Sequence, residues 1–287
     1  MRLGGSIFEA SKASDLDLLI EPFDTYGLSA ATGPWGFDRM EDEVLIEFGE
    51  HAKELGMVIG ETHSRVNLLT PDSNLLAERI ELLHEGLRKA ELMEAQCVCM
   101  LVGTAGPEDH LAAPDAFNYT DAAKKQFREA ILKATDGLHL EKTSLMIEPW
   151  PNTFFYQPDD ILECLEGIGH PKVGLHLDLM NMIDQYHYYK TTEFINEVFD
   201  KLGKNIGCIH FKDLRWDWEY MYMKFDEVPV GKGIIDYQTY VSRTAELDEN
   251  VACYVEHFPT EGDFAVSFAK LHQLADNIGK PFIRRKK

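Results

Sequence analysis

Four residues of this chain are of the right type, and at the right places, to share one metal ion. Glu148, Asp178, His210 and Glu256 each close a short apolar run, over residues 143–148, 172–178, 205–210 and 251–256. Each run has the length of a buried strand and lies between helix-like segments, as in parallel-sheet units. The four residues are spaced 30, 32 and 46 apart in sequence, so each belongs to a separate unit. If the strands are parallel neighbours, the side chains meet at the C-terminal edge of the sheet, where α/β folds carry their chemistry. A single acid after a strand is often just a solvated loop residue; four in register point to a shared site. Two Glu, one Asp and one His offer oxygen and imidazole donors, a set suited to Mn²⁺ and also to Co²⁺ or Mg²⁺.

Such an ion polarises a carbonyl and its neighbouring hydroxyl, and a carboxylate can then take the proton between them. Glu148 and Glu256 are three strands apart and could flank a substrate from two sides. One would remove a proton and the other return it, to the same carbon (epimerisation) or the adjacent one (isomerisation). Asp178 and His210 read as ligands only.

Other residues are candidates for substrate contacts. His176 lies two before Asp178, so strand alternation turns it to the same barrel-interior face; a core histidine satisfied by a neighbour is the competing reading. Lys212 stands two past His210, with Arg215 three further on. A cation there would stabilise developing negative charge, although a Lys212-Asp213 pair after a strand is often a salt-bridged loop. Asn181 could bond a substrate hydroxyl, and His63 ends a predicted strand that opens into the same mouth. Trp35, Trp150, Phe154 and Trp216 sit in predicted loops of that face, as platforms for a sugar ring or as loop anchors. The segment Val230-Gly231-Lys232-Gly233 lacks the spacing and the Ser/Thr of a P-loop and reads as a turn.

The elements that must position these residues alternate along the chain. Predicted strands cover 3–8, 28–31, 57–60, 97–102 and the four ligand-bearing runs. Predicted helices open at 16–23 and run over 42–55, from about 70 to 93, and over 121–135, 158–167, 191–202, 236–246 and 262–278. Eight such units in 287 residues favour a closed (β/α)8 TIM barrel over an open sheet. No linker or compositional shift divides residues 1–287, which read as one domain. Residues 103–120 form a long loop and a candidate lid over the barrel mouth.

Composition narrows the partners. The net charge is −21, from 49 acids against 28 bases, so nucleic acid and anionic membrane would be repelled. No apolar stretch has the length of a signal peptide core or a membrane span. Five cysteines, an odd number without a Cys-x-x-Cys, fit free thiols in a reducing cytoplasm.

The motifs Ile147-Glu148-Pro149, Gly174-Leu175-His176-Leu177-Asp178 with Asn181, Ile209-His210-Phe211-Lys212-Asp213, residues 228–237 and Val255-Glu256-His257 resemble the xylose-isomerase-like TIM barrels, the sugar phosphate isomerases and epimerases. The resemblance spans essentially the whole chain. It implies a sugar substrate, Mn²⁺ or Co²⁺ held by Glu148, Asp178, His210 and Glu256, and proton exchange by the two Glu. Ketose 3-epimerases of this family also carry a His three past the Asp and an Arg six past the His. Here those positions are Asn181 and Trp216, which puts a ketose substrate in doubt. The stretch 148–155 and the Trp/Tyr-rich stretch 216–222 are similar to catalytic subunits of C-glycoside deglycosidases and to 3-keto-glycoside lyases. Those deprotonate next to a 3-keto group and expel an aglycone. A homo-oligomer is compatible with the first resemblance, a hetero-oligomer with a small subunit with the second. Endonuclease IV-type nucleases share the barrel but need further His ligands, where this chain has Asn181 and Asp226-Glu227-Val228. A non-catalytic sugar-binding subunit would need no pair of bases.

Overall fold

The computed structural model describes residues 1–286. Eight parallel strands form the predicted barrel: β1 (Arg2–Gly5), β2 (Ala30–Thr32), β3 (Val58–His63), β4 (Cys97–Leu101), β5 (Ser144–Glu148), β6 (Val173–Asp178), β7 (Ile206–Phe211) and, late in the chain, β10 (Ala252–Val255). Their order around the sheet is β1-β10-β7-β6-β5-β4-β3-β2. The Ser29 N–H donates to the Leu3 carbonyl at 2.9 Å, bringing the β2 side against β1. Eight α-helices follow the strands outside: α1 (Ile20–Tyr26), α2 (Asp42–Glu54), α3 (Ser73–Leu92), α4 (Asp121–Thr135), α5 (Pro158–Ile168), α6 (Thr191–Leu202), α7 (Tyr237–Thr244) and α8 (Glu261–Asn277).

Local chemistry explains the clearest boundaries. The Asp72 carboxylate accepts from the N–H groups of Asn74 and Leu75 and starts α3, as an N-cap residue does. Thr120 caps α4 and Thr260 caps α8 in the same way. The first helical pattern is tighter than expected: residues Ala13–Leu19 are 3-10 helix before α1 begins. Val44, expected on the buried face of α2, is 39% exposed, whereas Leu45, Phe48 and Ala52 are buried.

Inside the barrel, Ala30, Cys97, Met146, Cys208, Ala252 and Tyr254 form a small core of their own. Tyr254 is fully buried there, and its hydroxyl donates to the Ala31 carbonyl at 2.8 Å. Gly60 faces that hydroxyl so closely that a Cβ there would collide with it. All five cysteines are free and buried.

Two strands were not anticipated. The barrel strand β7 stops at Phe211, and β8 (Asp213–Trp216) pairs antiparallel with β9 (Phe225–Val228) as a hairpin. Its anchor is the buried Asp213 carboxylate, which accepts N–H groups from Leu214 (2.9 Å), Gly231 (3.0 Å), Gly233 (2.9 Å) and Ile235 (3.1 Å). The glycine-rich turn is thus a nest of backbone donors around a carboxylate of the same chain. No helix among the described residues is long and apolar enough to cross a membrane.

One contact outside the barrel sets the approach of β5, which carries Glu148. Glu91, near the end of α3, accepts from the N–H groups of Glu141 (3.0 Å), Lys142 (2.9 Å) and Thr143 (2.8 Å). Burial alone would raise the Glu91 pKa, but these three donors outweigh it and hold the carboxyl below its usual value. A folded pKa below the unfolded one, about 4.3, gives stability that is present above that pH and lost as pH falls through the folded value. Glu91→Gln should therefore lose about 1–2 kcal/mol at neutral pH, measured by urea unfolding. The deficit should close below about pH 4.

Candidate active site

Four strand ends bring the candidate ligands together. Glu148 ends β5, Asp178 ends β6 in register with His210 of β7, and Glu256 directly follows β10. One donor atom from each lies within 4.8 Å of all the others. His210 Nδ1 is 2.9 Å from Glu256 Oε2, 3.7 Å from Glu148 Oε1 and 3.9 Å from Asp178 Oδ2. The residue after Glu256, His257, has φ +67°, a left-handed conformation uncommon outside glycine. That bend lies directly beside the ligand cluster.

The atoms at the centre of this cluster carry unspent polar capacity. Ion-pair contacts aside, His210 Nδ1, Asp178 Oδ2 and Glu256 Oε2 are buried without a hydrogen-bond partner among the described residues. The Lys212 ammonium reaches the two oxygens, yet buried polar atoms short of hydrogen bonds are rare and costly. Three that converge, with the third carboxylate, Glu148, beside them, fit a hard or borderline divalent ion bound by three oxygens and one imidazole nitrogen.

Electrostatics show the same demand for positive charge. Lys212, directly after β7, is buried, with Nζ 2.5 Å from Asp178 Oδ2 and 2.8 Å from Glu256 Oε2. Burial disfavours charge on Lys212 and on His210, yet the carboxylates around them hold both well above their ordinary pKa values. Burial would also raise Glu148, but His210 and Lys212 outweigh it and bring the carboxyl down to about 2. Asp178 goes the other way: burial, only partly offset by Lys212, pushes it up to about 6.

Above the cluster opens a cavity of about 640 Å³. Glu148 and Glu256 line it; Asp178 and His210 do not. His63 and Trp150, expected as substrate contacts, also line the cavity, as do Trp35, Arg65, His110 and His257. Arg65 lies over the Trp35 ring at 4.9 Å, and the Trp35 indole N–H donates to Glu9 at 3.0 Å. The segment 103–120 reaches the mouth through His110 and Leu111. It is braced rather than loose: the Asn67 amide donates to the Thr104 carbonyl and to Asp109, each at 2.8 Å, and Arg79 pairs with Asp109 at 3.0 Å.

Four expected contacts do not line the cavity, and the first of them, Lys212, is buried among the ligand carboxylates. His176 does not reach the cavity: it is fully buried, with Nε2 2.8 Å from Glu61 Oε2. Asn181 turns its amide to Glu148 Oε1 at 3.0 Å, so it holds a site carboxylate. Arg215 sits exposed on the β8 hairpin across from Asp226, because the chain has left the barrel strand by then. Of the predicted aromatic platforms, Phe154 is buried in the core, and Trp216 packs edge-on to Tyr188 and Phe225. Sequence reading missed Glu61, buried in β3 beside the site. Its signal was the two-residue spacing from His63, which places both on one strand face.

The model of the family described as "Xylose isomerase-like TIM barrel" matches residues 20–274. The chain belongs to that family. Among curated proteins no sequence match is found. Solved structures that resemble this barrel include a xylose isomerase-like TIM barrel protein of Mycobacterium smegmatis in complex with magnesium (17% identity, 94% of this chain and 91% of that one, TM-score 0.66). Others are the 3-keto-D-glucoside 4-epimerase YcjR of E. coli (12%, 96% and 99%, 0.65) and the probable 3-DHS dehydratase AsbF of Bacillus anthracis (15%, 91% and 93%, 0.66). At these identities the likeness is one of fold.

Proposed function

We propose that this barrel is a divalent-metal-dependent enzyme of the isomerase/epimerase type, which removes a proton next to the carbonyl of a keto-sugar. The observation that carries the reading is the split within the four ligands. Asp178 and His210 are buried beneath the cavity, where they would serve only to hold an ion, whereas Glu148 and Glu256 line it. A divalent ion held there, Mn²⁺ first and Co²⁺ or Mg²⁺ as alternatives, would supply Lewis-acid polarisation of a carbonyl and its neighbouring hydroxyl.

The chain's own groups do the rest. Asn181 fixes Glu148 through Oε1, which aligns that carboxylate for a proton at the cavity floor. Glu256 approaches from the strand three places away and can return the proton or accept it. The buried Lys212 ammonium, held against Asp178 and Glu256, balances the negative charge of those carboxylates beneath the cavity. Trp35, His63 and Trp150 border the space a sugar would fill and limit its access to water.

A second reading uses the same first step and ends in elimination, as in 3-keto-glycoside lyases or C-glycoside deglycosidases. The similarity of residues 148–155 and 216–222 to those enzymes is what supports this reading. One experiment separates the two: ketoses and 3-keto-glycosides incubated with the protein and Mn²⁺ in D₂O. An epimerase or isomerase delivers an altered sugar with deuterium on the carbon beside the carbonyl. A lyase releases the aglycone and need not return a proton. If no substrate of the panel exchanges, rearranges or eliminates above a no-enzyme control, the proposal fails.

A further inference from the structure

Below the four candidate ligands lies a carboxylate that the proposed chemistry does not use. Glu61, in the middle of β3, is 1% exposed. Its Oε1 is 3.2 Å from His63 Nε2. Its Oε2 is 2.8 Å from His176 Nε2, 3.2 Å from His210 Nε2 and 3.5 Å from Cys208 Sγ. Burying an ionised carboxylate costs several kcal/mol unless donors surround it; here three imidazoles converge on it.

A carboxylate only accepts hydrogen bonds, so every imidazole bonded to it presents an N–H. His176 and His210 do so with the same atom, Nε2, whereas His63 brings its Nε2 to 3.2 Å without a hydrogen bond. In the neutral ring that an ion requires, this leaves Nδ1 with its lone pair. On His210, Nδ1 is the nitrogen that faces Glu148, Asp178 and Glu256. On His176, Nδ1 is buried without a partner among the described residues, a place where an unmet N–H would be costly. His63 also lines the cavity.

The geometry points to Glu61 as a positioning residue that sets the tautomer of the ligand histidine His210. It holds His210 as the Nε2–H form, so that the ring offers Nδ1 to the ion. This rests on the metal reading proposed above. The general physics is that of a ligand histidine whose second N–H is bound by a carboxylate, which orients the ring and strengthens it as a donor.

The test has two arms. With Zn²⁺ as a diamagnetic probe, ¹⁵N-histidine NMR of the wild-type protein should show one imidazole with metal on Nδ1 and a proton on Nε2. In the second arm, Glu61→Gln keeps the volume but replaces one acceptor by an NH₂ donor facing the imidazoles. Mn²⁺ affinity, measured by calorimetry, should fall about 10–100-fold while the circular dichroism stays that of the wild type. If Glu61→Gln melts at a lower temperature but binds Mn²⁺ within twofold of wild type, Glu61 is a structural residue and the inference is wrong. Zn²⁺ found on Nε2 of His210 overturns it equally, and that arm stands if the variant does not fold. A wild-type protein that binds neither ion brings down the metal reading as well, a result distinct from the other two.

Discussion

Glu148→Gln and Glu256→Gln are each expected to lose about 10²–10⁴ in kcat, while both variants retain bound Mn²⁺ at saturating concentration. Gln keeps an oxygen that can ligate but removes the basic one, so the substitution separates proton transfer from metal binding. The positions are suited to the test because Glu148 and Glu256 face the cavity as well as the ligand cluster. The Glu148 carboxyl, brought down to about 2 by His210 and Lys212 against the effect of burial, is ionised throughout the neutral range. It is therefore present as a base, though a weak one, and polarisation of the substrate must carry much of the activation. Turnover of the true substrate and metal content should be measured on the same samples. Near-normal turnover in both variants with metal bound would reduce the pair to a cage.

The second large effect is on stability. Anything that binds the folded chain alone stabilises it by mass action, about 4 kcal/mol at a thousand times its Kd. Wild-type protein should unfold at a clearly higher temperature with Mn²⁺ than with chelator. Asp178→Asn should abolish that difference. Asp178 is fully buried and does not line the cavity, so its loss removes a ligand without touching the space for substrate. Asn keeps the shape but not the charge, and one of three carboxylates that attract the ion is gone. An equal Mn²⁺-dependent shift in the variant would take Asp178 out of the ligand set.

Much of the scaffold was legible from local signals. The helices Asp121–Thr135 and Thr191–Leu202 fall where their apolar periodicity places them, and Asp72 marks the start of α3. The convergence of Glu148, Asp178, His210 and Glu256 was legible for a related reason: each closes a short apolar run, and parallel strands bring such ends to one rim. The antiparallel hairpin was not legible. Its strands have four residues each, and Asp213 holds them by bonding donors 18 to 22 residues away.

Depth was the other missing quantity. Alternation places His176 on the same interior face as Asp178, but two residues along a strand are about 6–7 Å. At that depth His176 meets Glu61 and never reaches the cavity. Arg215 was lost for another reason: it was expected at the site because it closely follows Lys212, but the barrel strand ends at Phe211 and the chain turns outward. Glu61 drew no attention because its partners His176 and His210 lie 115 and 149 residues away. Periodicity along one segment reports which face a residue takes. How deep it sits, and what it meets there, is decided by closure of the barrel, which sets strands from distant parts of the chain side by side.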